Sequence, residues 1–221
     1  MFFDYDINTT VMVKYLPELC WGLRNTALVS AVGMAFALVV AVFTALARLS
    51  RSRLLSKAAA AYVESIRATP LLVQVYFLFF GLPELGVLLP AFTVGVIALA
   101  LNSGAYGAEI IRAGIEHIHK TQYEAADSLA LSYAQKMRYV ILPQAFRNIF
   151  PPLVGQASYL VKDSALVSVM GVVELTKAAN TVQAETFRPL EAFLPAMAMY
   201  LVLILSLIYG ASFLERRLRR W

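Results

Sequence analysis

The sequence TQYEAADSLALSYAQKMRYVILP, residues 121–143, is a polar and charged segment between stretches that are almost entirely apolar. On an α-helix its apolar side chains recur every three or four residues, at Tyr123, Ala126, Leu129, Tyr133, Met137 and Val140. The other face carries Glu124, Asp127, Gln135, Lys136 and Arg138. Pro143 is expected to end the helix, because proline lacks a backbone N–H and clashes with the preceding turn. The segment predicts one amphipathic cytoplasmic element on a membrane protein.

Composition supports the membrane assignment. The chain has 221 residues, of which 60% are hydrophobic and 15% are charged, whereas soluble domains carry roughly 25% charged residues. Apolar stretches of about twenty residues recur, the length needed to cross a bilayer. The net charge of +5 does not indicate nucleic acid as a partner, because the basic residues cluster beside the apolar stretches.

Few residues could hold a metal or a cofactor. The single cysteine, Cys20, excludes an intrachain disulfide and a site with several cysteines. His117 and His119 stand without a nearby cysteine or further histidine, which favours a solvated segment over a metal site. No phosphate-loop sequence is present, so we expect no ATP site in this chain. Glu124 has no nucleophile or metal set near it, so we also expect no catalytic residues and no cofactor. The first ten residues lack the basic region of a cleaved signal peptide.

The apolar stretches predict an all-α integral membrane protein with one domain, residues 1–221, and five spans. The spans are expected at about residues 23–47, 61–82, 91–111, 149–173 and 193–214, with residues 11–21 lying flat at the interface and a polar loop at about 113–143. Basic residues favour the cytoplasmic side. An outside N-terminus and an inside C-terminus place 14 of the 19 lysines and arginines inside, at positions 48, 51, 53, 57, 67, 112, 120, 136, 138, 147, 216, 217, 219 and 220.

Ionisable side chains deep in a bilayer are costly and usually face a bundle interior or a water-filled cavity. Lys162 and Asp163 fall in the fourth predicted span, which Pro151 and Pro152 are expected to bend near its start. A helix that ends at Leu160 would instead put both charges at the outer surface, and this alternative stays open.

The adjacent opposite charges suit a zwitterion, since a lysine can pair with a carboxylate and an aspartate with an ammonium group. The hypothesis is a mid-membrane cavity for a polar amino acid, lined by Gln74, Asn102, Gln156, Tyr159, Lys162 and Asp163. The alternative is a structural ion pair with hydrogen bonds between helices. Closer to the cytoplasmic ends of the spans, Arg67 and Glu109 are expected to form an ion pair.

Several motifs occur in an order that resembles the polar amino acid branch of the ABC importer permeases. Glu124-Ala125-Ala126, the small residue Ala130 and the sequence VILP at 140–143 resemble the EAA loop of that family, which usually has glycine where this chain has Ala130. YVESIRATPLLVQ at 62–74, EIIRAGI at 109–115 and LVKDSALVSVMG at 160–171 extend the resemblance over most of residues 20–215.

The resemblance implies a multi-pass permease of the bacterial cytoplasmic membrane that works by alternating access. Its loop would insert into a cleft on a cytoplasmic ABC ATPase dimer, through Glu124, Ala125, Ala126, Ala130, Tyr133 and Pro143. The ATPase would use ATP and Mg²⁺, and an external or periplasmic binding protein would deliver the amino acid. The membrane unit would pair this chain with a second copy or with a homologous permease.

Two other functions remain open from the sequence. A secondary amino acid transporter would work without an ATPase, although five spans without an inverted repeat are not typical of that class. A membrane anchor for a cytoplasmic enzyme would leave Lys162 and Asp163 without a role. For the loop itself, the alternative to docking is an amphipathic helix lying on the lipid headgroups.

Overall fold

The computed structural model describes residues 6–218, and every regular element in this range is a helix. The helices, in chain order, are α1 (Thr9–Arg48), α2 (Arg53–Ala68), α3 (Leu71–Glu84), α4 (Ala91–Glu116), α5 (Lys120–Ser128), α6 (Tyr133–Met170), α7 (Leu175–Thr186) and α8 (Pro189–Leu218). The prediction of an all-α protein is confirmed for this part of the chain. Arg219 and Arg220, both predicted to lie inside the cell, fall outside the described residues.

Three of the described helices, α1, α4 and α8, are each long and apolar enough to cross a membrane. Two bent helix pairs, α2 with α3 and α6 with α7, pass the same test if each pair counts as one span. The number of candidate spans is therefore three to five, and five spans with the predicted orientation remain a prediction.

Helix α1 begins well before the first predicted span. Residues 11–21, expected to lie apart from the span, are instead the start of the same forty-residue helix. The Asn8 side chain accepts the backbone N–H of Thr10 at 3.0 Å and so caps the first turn. Leu19 is fully buried and packs in a cluster with Leu175 and Val182 of α7. This partner, distant in sequence, stabilises the early turns of α1.

The predicted second span, 61–82, is interrupted at Thr69 and Pro70. Helix α2 ends at Ala68, and Thr69 is extended, with φ −115° and ψ 141°. A proline disfavours the helical conformation of the residue before it, which explains the break. Helix α3 then starts at Leu71 and includes a π-helical turn, Phe77–Gly81.

The prediction of a single helix over 121–143 that stops at Pro143 is wrong. The chain leaves the helical conformation between Ser128 and Tyr133, and α6 continues through Pro143. A π-helical turn at Met137–Ile141 precedes the proline, and the N–H of Leu142 donates to the carbonyl of Met137. This wider turn carries the helix past a residue that cannot donate an ordinary helical hydrogen bond.

Helix α6 also contains Pro151 and Pro152 and runs on through Lys162 and Asp163, so it does not end at Leu160. Its last seven residues, Ser164–Met170, tighten into a 3-10 helix. Gly171 then takes a left-handed conformation, φ 83°, that glycine adopts without steric cost.

The chain divides into two compact units. The first contains residues up to Gly33, Leu71–Leu99 and Leu160–Leu207, and the second contains Met34–Pro70, Ala100–Tyr159 and the residues from Ile208 onward. The core of the first unit gathers Leu19, Leu175, Ala178, Ala179, Val182, Ala192 and Ala196. The second unit has one cluster around Ile115, Ile118, Ile141, Ala145 and Ile149 and another around Ala45, Val63, Ala105 and Ala108.

Candidate functional site

The polar loop is built on a tight turn after α5. The N–H of Leu131 donates to the carbonyl of Ala126 at 3.2 Å, and the N–H of Ala130 donates to the carbonyl of Asp127 at 2.9 Å. These two bonds form the Schellman motif that ends many helices. Ala130 occupies the left-handed position of the motif, with φ 54°, which usually belongs to glycine. The tight turn therefore forms with alanine in place of the glycine usual in the family.

A capping box starts α6 directly after this turn. The Gln135 N–H donates to the Ser132 hydroxyl at 3.4 Å, and the Ser132 N–H donates to the Gln135 side-chain oxygen at 2.9 Å. Both bonds satisfy donors that a helix start would otherwise leave open. The path of the chain from α5 into α6 is thus fixed at both ends by local hydrogen bonds.

Side chains also connect α5 to α6. Lys136 forms an ion pair with Asp127, and the Gln144 amide donates to the Gln122 side-chain oxygen at 3.0 Å. Tyr123 packs, partly buried, against the isoleucine cluster of the second unit. These contacts hold α5 in a fixed position on α6, so the loop presents a defined surface.

The six residues predicted to engage the ATPase do not all lie on that surface. Ala126 is buried, with 2% of its surface exposed, whereas the other five are exposed: Glu124, Ala125, Ala130, Tyr133 and Pro143. The apolar face predicted for one helix over residues 121–143 is split between α5 and α6, because the turn changes the direction of the chain between them. Leu129 and Tyr133 point outward, at 73% and 72% exposure.

The residues predicted to line a cavity are distributed over both units. Gln74, Lys162 and Asp163 belong to the first unit, and Asn102, Gln156 and Tyr159 belong to the second. Within the second unit, the Gln156 amide donates to the hydroxyl of Ser103 at 3.3 Å, beside the buried Asn102. This bond links α6 to α4 through one of the predicted polar side chains.

The cavity candidates also differ in exposure. Tyr159 and Lys162 are exposed, and Asp163 is partly buried. Residues 159, 162 and 163 lie on one continuous helix, which runs past Leu160, the residue where the alternative interpretation ended it. Opposite charges at 162 and 163 are thus displayed on regular helical backbone within the first unit.

The predicted ion pair of Arg67 with Glu109 is wrong. Glu109 pairs with Arg48 at 3.3 Å and with Arg112 at 2.8 Å. The Arg67 guanidinium lies over the ring of Tyr106, 5.1 Å from its centroid. Arg112 has a second partner one helical turn further on, in Glu116. The cluster ties the C-terminal end of α1 to α4.

A buried carboxylate that the sequence did not single out organises the first unit. Glu174 is fully buried and caps α7 by accepting the N–H groups of Thr176 at 2.9 Å and Lys177 at 2.7 Å. The Tyr200 hydroxyl of α8 donates to the same carboxylate at 2.6 Å. The Thr26 hydroxyl of α1 accepts the N–H of Leu175 at 3.0 Å. Glutamate is not a common capping residue, so only its position before a polar helix hinted at this role.

Comparisons with known proteins show which protein family the chain belongs to. The chain belongs to the family of binding-protein-dependent transport system inner membrane components, which it matches over residues 21–220. It is the transmembrane permease subunit of an amino acid ABC importer. ATP hydrolysis resides in a separate subunit of such importers, and a substrate-binding protein serves them, so the chain itself is not an enzyme.

Two relatives of known name and one solved structure show the extent of the similarity. The chain is 38% identical over 206 residues to the glutamine transport system permease protein GlnP of Escherichia coli, covering 92% of this chain and 94% of the relative. It is 36% identical over 215 residues to the arginine transport system permease protein ArtQ of Bacillus subtilis, covering 97% and 98%. A crystal structure of an amino acid ABC transporter with histidines has a TM-score of 0.91 and 41% identity, covering 96% of this chain and all of that chain.

Proposed function

We propose that this permease moves a polar amino acid across the bacterial cytoplasmic membrane by alternating access. Relatives named for glutamine and for arginine support a substrate with a polar or cationic side chain. Both amino acids share a zwitterionic backbone, which the opposite charges of Lys162 and Asp163 suit. Gln74, Asn102, Gln156 and Tyr159 would add neutral hydrogen-bonding groups to the same cavity.

The topology that we propose has five spans: α1, the α2–α3 pair, α4, the α6–α7 pair and α8. An outside N-terminus then places the basic residues that follow α1, and the polar loop between α4 and α6, in the cytoplasm. The single permease domain would assemble as a dimer, with a second copy or with a homologous permease. An external binding protein would deliver the substrate to the outer face.

The observation that carries the coupling proposal is the fixed, exposed surface of the loop. Glu124 and Ala125 of α5 and Tyr133 of α6 are exposed on elements held by the Schellman turn, the capping box and the ion pair of Asp127. A rigid surface transmits a displacement that a flexible loop would absorb. We therefore assign the loop to the cleft of the cytoplasmic ATPase dimer, which alone would bind ATP and Mg²⁺.

Replacing Tyr133 tests this assignment. Tyr133→Ala removes a large exposed side chain, and we expect weaker ATPase binding and at least a tenfold loss of uptake, the scale of an aromatic interface residue. Tyr209→Ala on α8 is the matched control, since Tyr209 is exposed to a similar extent, 70% against 72%. Co-purification of the ATPase and uptake into proteoliposomes measure both effects. Equal behaviour of the two variants would exclude Tyr133 from the interface.

Single substitutions of the two charges test the cavity. Lys162→Ala and Asp163→Ala should each lower uptake at least tenfold while the assembled complex forms in normal amount, because an unpaired charge of the substrate would be left in a desolvated site. Uptake divided by the quantity of assembled complex is the measurement. Normal uptake by both variants would show that this pair has a structural role only.

A further inference from the structure

Three basic residues and two leucines are exposed in the connection between α1 and α2 and in the first turns of α2. We call Arg51, Arg53, Leu54, Leu55 and Lys57 the basic collar. All five are exposed, Leu54 at 82% and Leu55 at 49%. Within residues 6–218, none of the three cations has an ion pair or a stacked ring, unlike the neighbouring arginine of α1, which is paired with a carboxylate of α4.

The backbone beneath the collar is well fixed. The Ser56 hydroxyl donates to the carbonyl of Arg48 at 2.9 Å, and Ser52 caps α2 by accepting the N–H of Leu55 at 3.5 Å. Further along α2, Val63 is 1% exposed and packs with Ala45 of α1. The inner side of α2 is therefore occupied by protein from Ala59 onward, whereas the collar residues that precede it are exposed.

The collar combines two properties that a protein surface in water disfavours. Arg53 and Lys57 are four residues apart on one helix, so their like charges repel each other. Leu54, the residue after Arg53, exposes most of its apolar surface, and no acidic residue occurs in the first turn of α2. A surface that supplies negative charge and an apolar phase together would relieve both costs.

The position of the collar points to the membrane as that surface. It follows within a few residues of Arg48, the last residue of a forty-residue helix that is apolar enough to cross a bilayer. In the proposed topology, in which the first span ends near residue 47, the collar lies at the depth where lipid headgroups meet the acyl chains. The exposed leucines can enter the acyl region while the cations reach the phosphates.

We propose that the basic collar binds anionic phospholipid of the leaflet that it faces, with Arg51, Arg53 and Lys57 contacting headgroup phosphates and Leu54 and Leu55 inserted among the acyl chains. Under the proposed topology this is the cytoplasmic leaflet, so the inference rests on the proposed function for its sidedness. The binding itself requires no substrate and no ATP.

The test uses the assembled permease–ATPase complex in nanodiscs of phosphatidylcholine with a minor fraction of phosphatidylglycerol. Native mass spectrometry counts the phosphatidylglycerol molecules that the wild-type complex retains. We expect enrichment over the bulk fraction, and about a hundredfold weaker retention in the triple variant R51Q, R53Q and K57Q, since each cation near an anionic surface contributes about a fivefold effect. The matched control K14Q, R24Q and K177Q removes the same charge elsewhere and should retain the lipid.

Two further variants keep the test decisive if the triple variant assembles poorly. R53Q alone should weaken retention about fivefold. Leu54→Ser with Leu55→Ser leaves the charge unchanged, and should weaken it several-fold through loss of apolar burial.

Equal retention of phosphatidylglycerol by the wild type and by all collar variants would overturn the proposal. An equal loss of phosphatidylglycerol in the control variant K14Q, R24Q and K177Q would overturn it as well. Enrichment in the isolated permease that disappears when the ATPase is bound would also overturn it, by showing that the partner protein covers the collar. Uptake is not part of the readout, so failure here leaves the proposed transport function untouched.

Discussion

Ala130 holds the backbone conformation that closes the turn of the polar loop, although its side chain disfavours that conformation. Its φ of 54° lies in the left-handed region, where a Cβ atom crowds the following carbonyl. The alternative, an extended residue here, would abandon the two hydrogen bonds that close the Schellman turn. The turn therefore holds alanine in a conformation that costs about 1 kcal/mol relative to glycine.

Ala130→Gly should stabilise the turn by about 1 kcal/mol, because glycine adopts the left-handed conformation without a steric penalty. Hydrogen exchange of the Ala126–Leu131 segment should slow by about fivefold. Ala125→Gly is the matched control within α5, where glycine costs about 1 kcal/mol and exchange should accelerate. Slower exchange in both variants, or in neither, would contradict the assignment of strain to position 130.

At this scale the sequence located the polar loop but not the buried carboxylate of the first unit. The Glu-Ala-Ala run and Ala130 were recognisable through their resemblance to the EAA loop, so the location of the loop followed from the sequence. Glu174 was not recognisable, because its role depends on Thr26 and Tyr200, which lie far away along the chain. Residue type alone carries no information about such distant partners.

At the scale of elements, α1 packs closely against α7 at Gly22. Among the glycines of the first unit, Gly22 leaves the least space for an added Cβ atom. A Cβ atom added to Gly22 would lie 2.9 Å from the Cβ of Ala178 and 2.9 Å from the Cα of Leu175. Neither of these atoms can move without moving the backbone of α7. Close packing of helices through small residues is a main source of stability in lipid, where the hydrophobic effect between helices is weak.

Gly22→Ala should destabilise the permease by about 1–3 kcal/mol, the usual cost of overpacking. Gly33→Ala is the matched control in the same helix, since its Cβ would meet the Leu99 Cβ at an ordinary distance of 3.4 Å. That substitution should be neutral or stabilising, because alanine is the better helix former. Thermal unfolding in detergent distinguishes the two. A loss of stability in the Gly33 variant that equals the loss in the Gly22 variant would refute the role assigned to the α1–α7 contact.

The elements also show where periodicity misleads. One repeat of apolar residues ran through 121–143, yet the chain contains two helices joined by a turn, because the Schellman motif needs no interruption of the pattern. Pro143 predicts the end of a helix, but the π-helical turn before it lets α6 continue. Conversely, Pro70 does break its helix. The effect of a proline depends on the turn that precedes it, which sequence patterns do not reveal.

For the whole molecule, hydropathy was sufficient to predict the class of fold. It was not sufficient to predict where the helices begin and how they pack. The apolar stretches correctly predicted an all-α membrane protein, and the motif order predicted the permease family. The start of α1 at Thr9 and the burial of α7 were not predicted, because both follow from contacts between segments more than 140 residues apart. A periodic pattern can indicate that one face of a helix is buried, but it does not indicate which distant segment covers that face.

Site-directed cross-linking shows whether the loop after α4 engages the ATPase. On a Cys20→Ser background, Ala125→Cys in the assembled, ATP-hydrolysing complex should form a cross-link to the ATPase subunit with a short bifunctional reagent, whereas Ser206→Cys on α8 should form none. An ATP-hydrolysing complex in which Ala125→Cys is labelled by the reagent but never cross-linked to the ATPase would contradict the account.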